Sequence, residues 1–108
     1  MNTITLFHGS ANKIENFIKG RMQGMYFTEN IKEANDYILA QADGKTGSYG
    51  FIYKVVIDKS NIELTDDIDN SIYSENIYYS PEETYYRIDN MDKYELIELT
   101  EEEIESYF

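Results

Sequence analysis

Between Tyr49 and Asp58 the chain reads YGFIYKVVID, and apolar side chains fall in both phases of a β-strand. Phe51, Tyr53, Val55 and Ile57 occupy one face, Ile52 and Val56 the other. A strand that is apolar on both sides has no face to give to water, which places it centrally in a sheet that is covered above and below. A chain of 108 residues holds one such core, so the expectation is a single domain spanning residues 1–108.

Weaker strand signals surround this one. Residues 3 to 7, TITLF, alternate β-branched and large apolar side chains and lead into His8-Gly9-Ser10. From Ser10, a cap, the stripe Ile14, Phe17, Ile18 describes a short helix that Gly20 ends. Short strands are expected at Ile62–Leu64 and near Ile77–Tyr79, within a polar, tyrosine-bearing region that Pro81 closes. Thr84–Ile88 and Lys93–Leu99 read as a hairpin turned at Asp89-Asn90. Thr100 and Glu103 form a capping box that starts a final helix carrying Ile104, Tyr107 and Phe108. The mixture predicts an α+β fold. The GKT triplet at Gly44 resembles a phosphate loop, but the glycine required five residues earlier is Leu39, so that stretch is a connector.

Gly24–Ile38, GMYFTENIKEANDYI, joins two local patterns. Met25–Thr28 favour a strand; Ile31, Ala34 and Ile38 then follow helical spacing. Asn30 with Glu33 marks the boundary as a cap of capping-box type. Tyr26 at the strand end and Tyr37 in the helix are eleven residues apart, so chain reversal can bring both rings to one cleft, with room for a flat aromatic ligand between them. With eleven tyrosines in the chain, packing at the core edge is the ordinary role for any one of them.

Composition removes several functions. There is no cysteine and one histidine, which excludes disulfides and thiol chemistry and leaves little to hold a metal. The formal net charge of −12, concentrated in Glu63–Asp69 and Glu95–Glu105, opposes direct binding of nucleic acid. It suits solubility, or attraction to a basic partner. The start, MNTITLFHGS, has neither a basic region nor a long apolar run, so the expected setting is the cytoplasm, with no membrane association.

Two constellations carry chemistry. His8, Gly9 and Ser10 present an imidazole, an approachable backbone and a hydroxyl at one strand end, a set able to bind a ribose or a carboxamide. A lone histidine near a turn is more commonly solvated or bonded to backbone. Glu82 and Glu83 precede a strand in whose phase Glu83, Tyr85 and Arg87 share a face; a carboxylate there can stabilise an oxocarbenium ion and bind a sugar hydroxyl.

Taken in order, FHGS, GMYFTENIKEANDY, a long central strand and a late acid entering a strand make the chain similar to ADP-ribosyltransferases of the His-Tyr-Glu class, that of the poly(ADP-ribose) polymerases and diphtheria toxin. The resemblance implies two small packed β-sheets with peripheral helices and an NAD cleft between them. It implies NAD as co-substrate, with His8 on the adenosine ribose, the Gly9 backbone on the carboxamide, and Ser10 beside them. Tyr26 and Tyr37 would sandwich the nicotinamide, and Glu83, chosen over Glu82, would polarise the scissile bond. The implied catalytic set is thus His8, Tyr26 and Glu83, and the implied activity is mono-ADP-ribosylation of a host macromolecule by a bacterial or phage effector. The chain departs from the family at Ala34, where a serine often bonds the carboxamide. Two other outcomes stand beside transfer: NAD hydrolysis, and a non-catalytic acidic protein that mimics nucleic acid and occludes a basic partner.

Overall fold

In a computed structural model, residues 2–10, 25–41, 50–69, 71 and 76–107 are described, with the side chains of residues 37–41 and 92 outside that description. The expected helix after Ser10, Gly24 and the connector around Gly44 lie outside the described residues.

The both-phase strand is β3 (Phe51–Asp58), and it lies between β1 (Thr3–Ser10) and β7 (Ile97–Glu98) in a three-stranded sheet. β1 pairs antiparallel with β3 along its whole length, from Thr3 opposite Asp58 to Ser10 opposite Phe51. The strand therefore extends through His8-Gly9-Ser10, which the sequence had placed beyond its end. The second sheet has the order β2 (Met25–Phe27), β6 (Tyr85–Ile88), β5 (Ile77–Ser80), β4 (Ile62–Leu64). β4 and β5 run parallel and the other pairs antiparallel. Two helices complete the described α+β fold: α1 (Ile31–Gln41) and α2 (Glu101–Tyr107).

Strand alternation explains how the sheets pack. Leu6, Val55 and Ile57 from the first sheet meet Phe27, Ile77, Tyr86 and Ile88 from the second, and all are buried in one core. Burial of each such side chain contributes about 1.5–3 kcal/mol. The opposite face of the first sheet presents Phe7 and Ile52 to Ile31 and Ala34 of α1, with Leu99 and, from α2, Ile104 closing the edge. That cover stops short of Val56, which is 51 % exposed. β3 is thus buried on both sides only over its first half, because α1 reaches Ile52 and no described element lies over the end of that face.

Both helix starts follow from their caps. Asn30 Oδ1 accepts the Lys32 amide at 2.9 Å, while Glu33 reaches back to the Thr28 hydroxyl at 2.8 Å, and that hydroxyl accepts the Asn30 amide at 3.2 Å. The box is closed through Thr28. At α2 the Thr100 hydroxyl accepts the Glu103 amide and Glu103 accepts the Thr100 amide, each at 3.2 Å, as its sequence predicts.

The expected hairpin around Asp89-Asn90 does not form. β6 and β7 belong to different sheets, and a short 3₁₀ turn, Met91–Lys93, carries the chain between them. Asp89 is fully buried against Arg87, and Met91 enters the inter-sheet core, so neither behaves as an exposed turn residue. Among the described residues no helix is long and apolar enough to cross a membrane.

Candidate functional site

The two sheets, packed over a shared core, are joined edge to edge at a bridge and diverge beyond it. Phe7 exchanges both backbone bonds with Thr28, at 2.7 and 2.9 Å, in an isolated bridge between β1 and the end of β2. Continuing that register would set Gly9 opposite Tyr26. Instead β2 turns into the second sheet, where Tyr26 lies opposite Arg87. Alternate residues of a strand aim their backbone groups at the same edge. The amide and carbonyl of Gly9 therefore point away from β3, as those of Phe7 do, into the wedge where the strands diverge.

His8 spans this wedge. Its Nδ1 lies 2.6 Å from the Tyr26 carbonyl, and because a carbonyl only accepts, Nδ1 carries the hydrogen. The side chain thus occupies the carbonyl that a continued ladder would have assigned to the Gly9 amide. The ring lies against Phe27, with centroids 5.4 Å apart, and burial pulls its pKa below the usual histidine value despite the opposing effect of the carbonyl. A neutral ring with Nδ1 protonated leaves Nε2 as an acceptor.

Around the wedge is a cavity of about 660 Å³. β1 contributes His8 and Gly9, β2 contributes Tyr26, α1 contributes Glu33 and Ala34, the segment after β4 contributes Ile68 and Asp69, and the chain entering β6 contributes Glu83 and Tyr85. The described lining holds three carboxylates and no lysine or arginine. The Tyr26 hydroxyl donates to Asp69 Oδ1 at 2.7 Å. Burial and the neighbouring carboxylate push its pKa up to about 12, so the phenol stays protonated at neutral pH.

Four of the residues expected from sequence, His8, Gly9, Tyr26 and Glu83, line this one cavity. Ser10, half-buried at the end of β1, is not part of the lining, and neither is Glu82. Tyr37 lies in α1, two turns after its start, with its side chain outside the described set. Ala34 is buried in the wall and presents a methyl group with nothing to donate.

Glu83 reaches the cavity differently from the expectation. It sits in the turn Pro81–Thr84 ahead of β6, so strand alternation does not orient it. The turn is held by the Thr84 amide on the Ser80 carbonyl at 2.8 Å and the Glu83 amide on the Ser80 hydroxyl at 3.3 Å. Thr84 adopts φ 61°, a left-handed conformation that is rare for a β-branched residue and costs about 1–3 kcal/mol.

Sequence reasoning missed Glu33 as a wall residue, Asp69, and Arg87 with Asp89. Arg87 is 2 % exposed and bonds Asp89 at 2.8 and 3.2 Å. The R-x-D spacing, which in an extended chain puts both side chains on one side, was the available signal.

No protein-family model matches this chain, and no curated protein or solved structure matches it either. Its class is set by architecture: an α+β chain of two small sheets that part at one seam. The particular feature of this member is a carboxylate-lined cavity with a bridging histidine at that seam.

Proposed function

We propose that the protein is a mono-ADP-ribosyltransferase that uses NAD, with a fold of the ADP-ribosyltransferase kind. The observation that carries this reading is the convergence of His8, Gly9, Tyr26 and Glu83 on one cavity, from three separate parts of the chain. Its volume of about 660 Å³ lies within the range of small-molecule sites.

The chemistry of the lining supports the nicotinamide-ribose half of NAD as the group inside. The pyridinium is a cation, which Glu33 and Glu83 favour, and its ring can lie on Tyr26. Gly9 offers an amide and a carbonyl towards the wedge, matching the two ends of a carboxamide. Neutral His8 offers Nε2 to a ribose hydroxyl. The same carboxylates oppose a pyrophosphate, which stays outside the cavity.

In the reaction the bond between ribose C1′ and the nicotinamide nitrogen breaks, and its electron pair leaves with the ring, which becomes neutral. The sugar passes through an oxocarbenium-like state that the Glu83 carboxylate stabilises while it holds the ribose 2′-hydroxyl. The acceptor's lone pair then bonds C1′ and the acceptor loses its proton. With a net charge of −12, a basic target protein, such as one that handles nucleic acid, is the favoured acceptor.

Saturating NAD should raise the melting temperature. A concentration of 100 Kd stabilises by about 2.7 kcal/mol, or roughly 10–20 °C for a domain of this size. His8→Ala and Tyr37→Ala should blunt the shift. Nicotinamide release with an ADP-ribose adduct on a lysate protein supports transfer, and release with free ADP-ribose alone supports hydrolysis. Absence of both shift and release refutes NAD use and favours the acidic binding protein.

A further inference from the structure

Tyr26 lies on a three-residue strand, opposite Arg87 of β6, and is 40 % exposed, so packing holds its ring only in part. What fixes it is the segment that follows β4. Thr65 enters that segment with its amide on the Tyr79 carbonyl at 2.9 Å, and Ile68 is buried at 2 % exposure. Beneath it lies the buried guanidinium of Arg87, which donates to the Ile68 carbonyl and, at 2.8 Å, to the Ser71 carbonyl. Asp89 holds the other side of the same guanidinium, and the Tyr78 ring lies 5.1 Å from it. Asp69, next to Ile68, is thereby presented to the Tyr26 hydroxyl.

We propose that Asp69 is a positioning residue for Tyr26: the segment anchored by Arg87 clamps the phenol, and so sets the plane of the ring that walls the cavity. This rests on the reading above, in which that ring carries the nicotinamide. A hydroxyl-to-carboxylate bond is charge-assisted and stronger than a neutral one, which suits a clamp on an exposed side chain. Asp69 acts through Tyr26 here and makes no contact with the ligand.

The test is a double-mutant cycle on NAD affinity. Tyr26→Phe keeps the ring and removes the clamp from one side; Asp69→Ala removes it from the other. Each should weaken NAD binding roughly threefold to tenfold, the range for one hydrogen bond. The double variant should bind about as well as either single one, and Asp69→Asn, which keeps an acceptor oxygen, should recover most of the loss. Additive losses, or an Asp69→Asn protein as weak as Asp69→Ala, would mean that the carboxylate acts on the ligand itself and would overturn the proposal.

A second measurement needs no NAD. With ¹³C-labelled tyrosine rings, and Tyr26 assigned from the Tyr26→Phe spectrum, the phenol midpoint should fall in Asp69→Ala from about 12 towards the ordinary value. An unchanged midpoint overturns the clamp. If the wild-type protein fails to bind NAD, the functional reading falls while this titration still decides the clamp.

Discussion

Replacing Glu83 by Gln removes one charge from the cavity and nearly nothing else. The carboxylate is on the exposed turn Pro81–Thr84, so a surface substitution there should change stability by less than about 0.5 kcal/mol. Its effect on the reaction depends on the medium in which it meets the developing cation. At about 4 Å the attraction is worth about 1 kcal/mol in water and about 4 kcal/mol at an effective dielectric of 20. With substrate seated between the sheets the carboxylate is partly covered, which places the loss near 3 kcal/mol, or about a hundredfold in turnover. Glu82 is equally exposed and does not line the cavity, so Glu82→Gln should turn over like wild type. The assay is single-turnover nicotinamide release, with melting curves to show that both variants are folded. Inactive Glu82→Gln with active Glu83→Gln would move the role by one residue. Full activity in both would remove carboxylate stabilisation from the mechanism.

Arg87→Met leaves the fully buried Asp89 without its ion pair and should cost about 3–5 kcal/mol in urea unfolding; adding Asp89→Leu should recover part of it, and a loss below about 1 kcal/mol would contradict the account. His8 has a folded pKa below its unfolded one, so its contribution to stability is intact above about pH 6.5 and is lost as pH falls through the folded value. The stability that wild type has over His8→Gln, a comparison in which the carboxylates common to both cancel, should shrink as the pH is lowered, and NAD affinity should fall in the same window as Nε2 becomes protonated. A pH-independent difference would refute a half-buried neutral ring.

The sequence made visible whatever depends on near neighbours. The both-phase pattern of β3 put it at the centre of a sheet, and the pairs Asn30/Glu33 and Thr100/Glu103 located two helix starts, because a cap is a contact across one turn. The hairpin at Asp89-Asn90 was misjudged for the converse reason. Asp and Asn favour turns when solvated, but here Arg87 draws Asp89 inward and Met91 is drawn into the core. The sequence pattern singled out His8, Gly9, Tyr26 and Glu83, which line one cavity, although the orientation of Glu83 was argued from a strand phase that the turn does not share. Asp69 was beyond reach. It meets Tyr26 forty-three positions away, through a segment whose course is set by a buried arginine and by no periodicity of its own.

The pairing scheme of the second sheet also fixes when the cavity can come into being as the chain folds. β2 has no strand partner in that sheet until β6 arrives, because Met25 pairs with Ile88 and Phe27 with Tyr86. The first sheet likewise joins β1 only to β3. Both strands that bear the histidine and the tyrosine thus wait on distant segments, and closing such loops costs entropy before any contact repays it. A nascent chain that has exposed β1, β2 and β3 owns His8, Tyr26 and the residues of the Phe7–Thr28 bridge, but not the β6 strand that places β2 in the second sheet. The cavity takes shape only once Ile88 has been synthesised and β2 has its place in the second sheet.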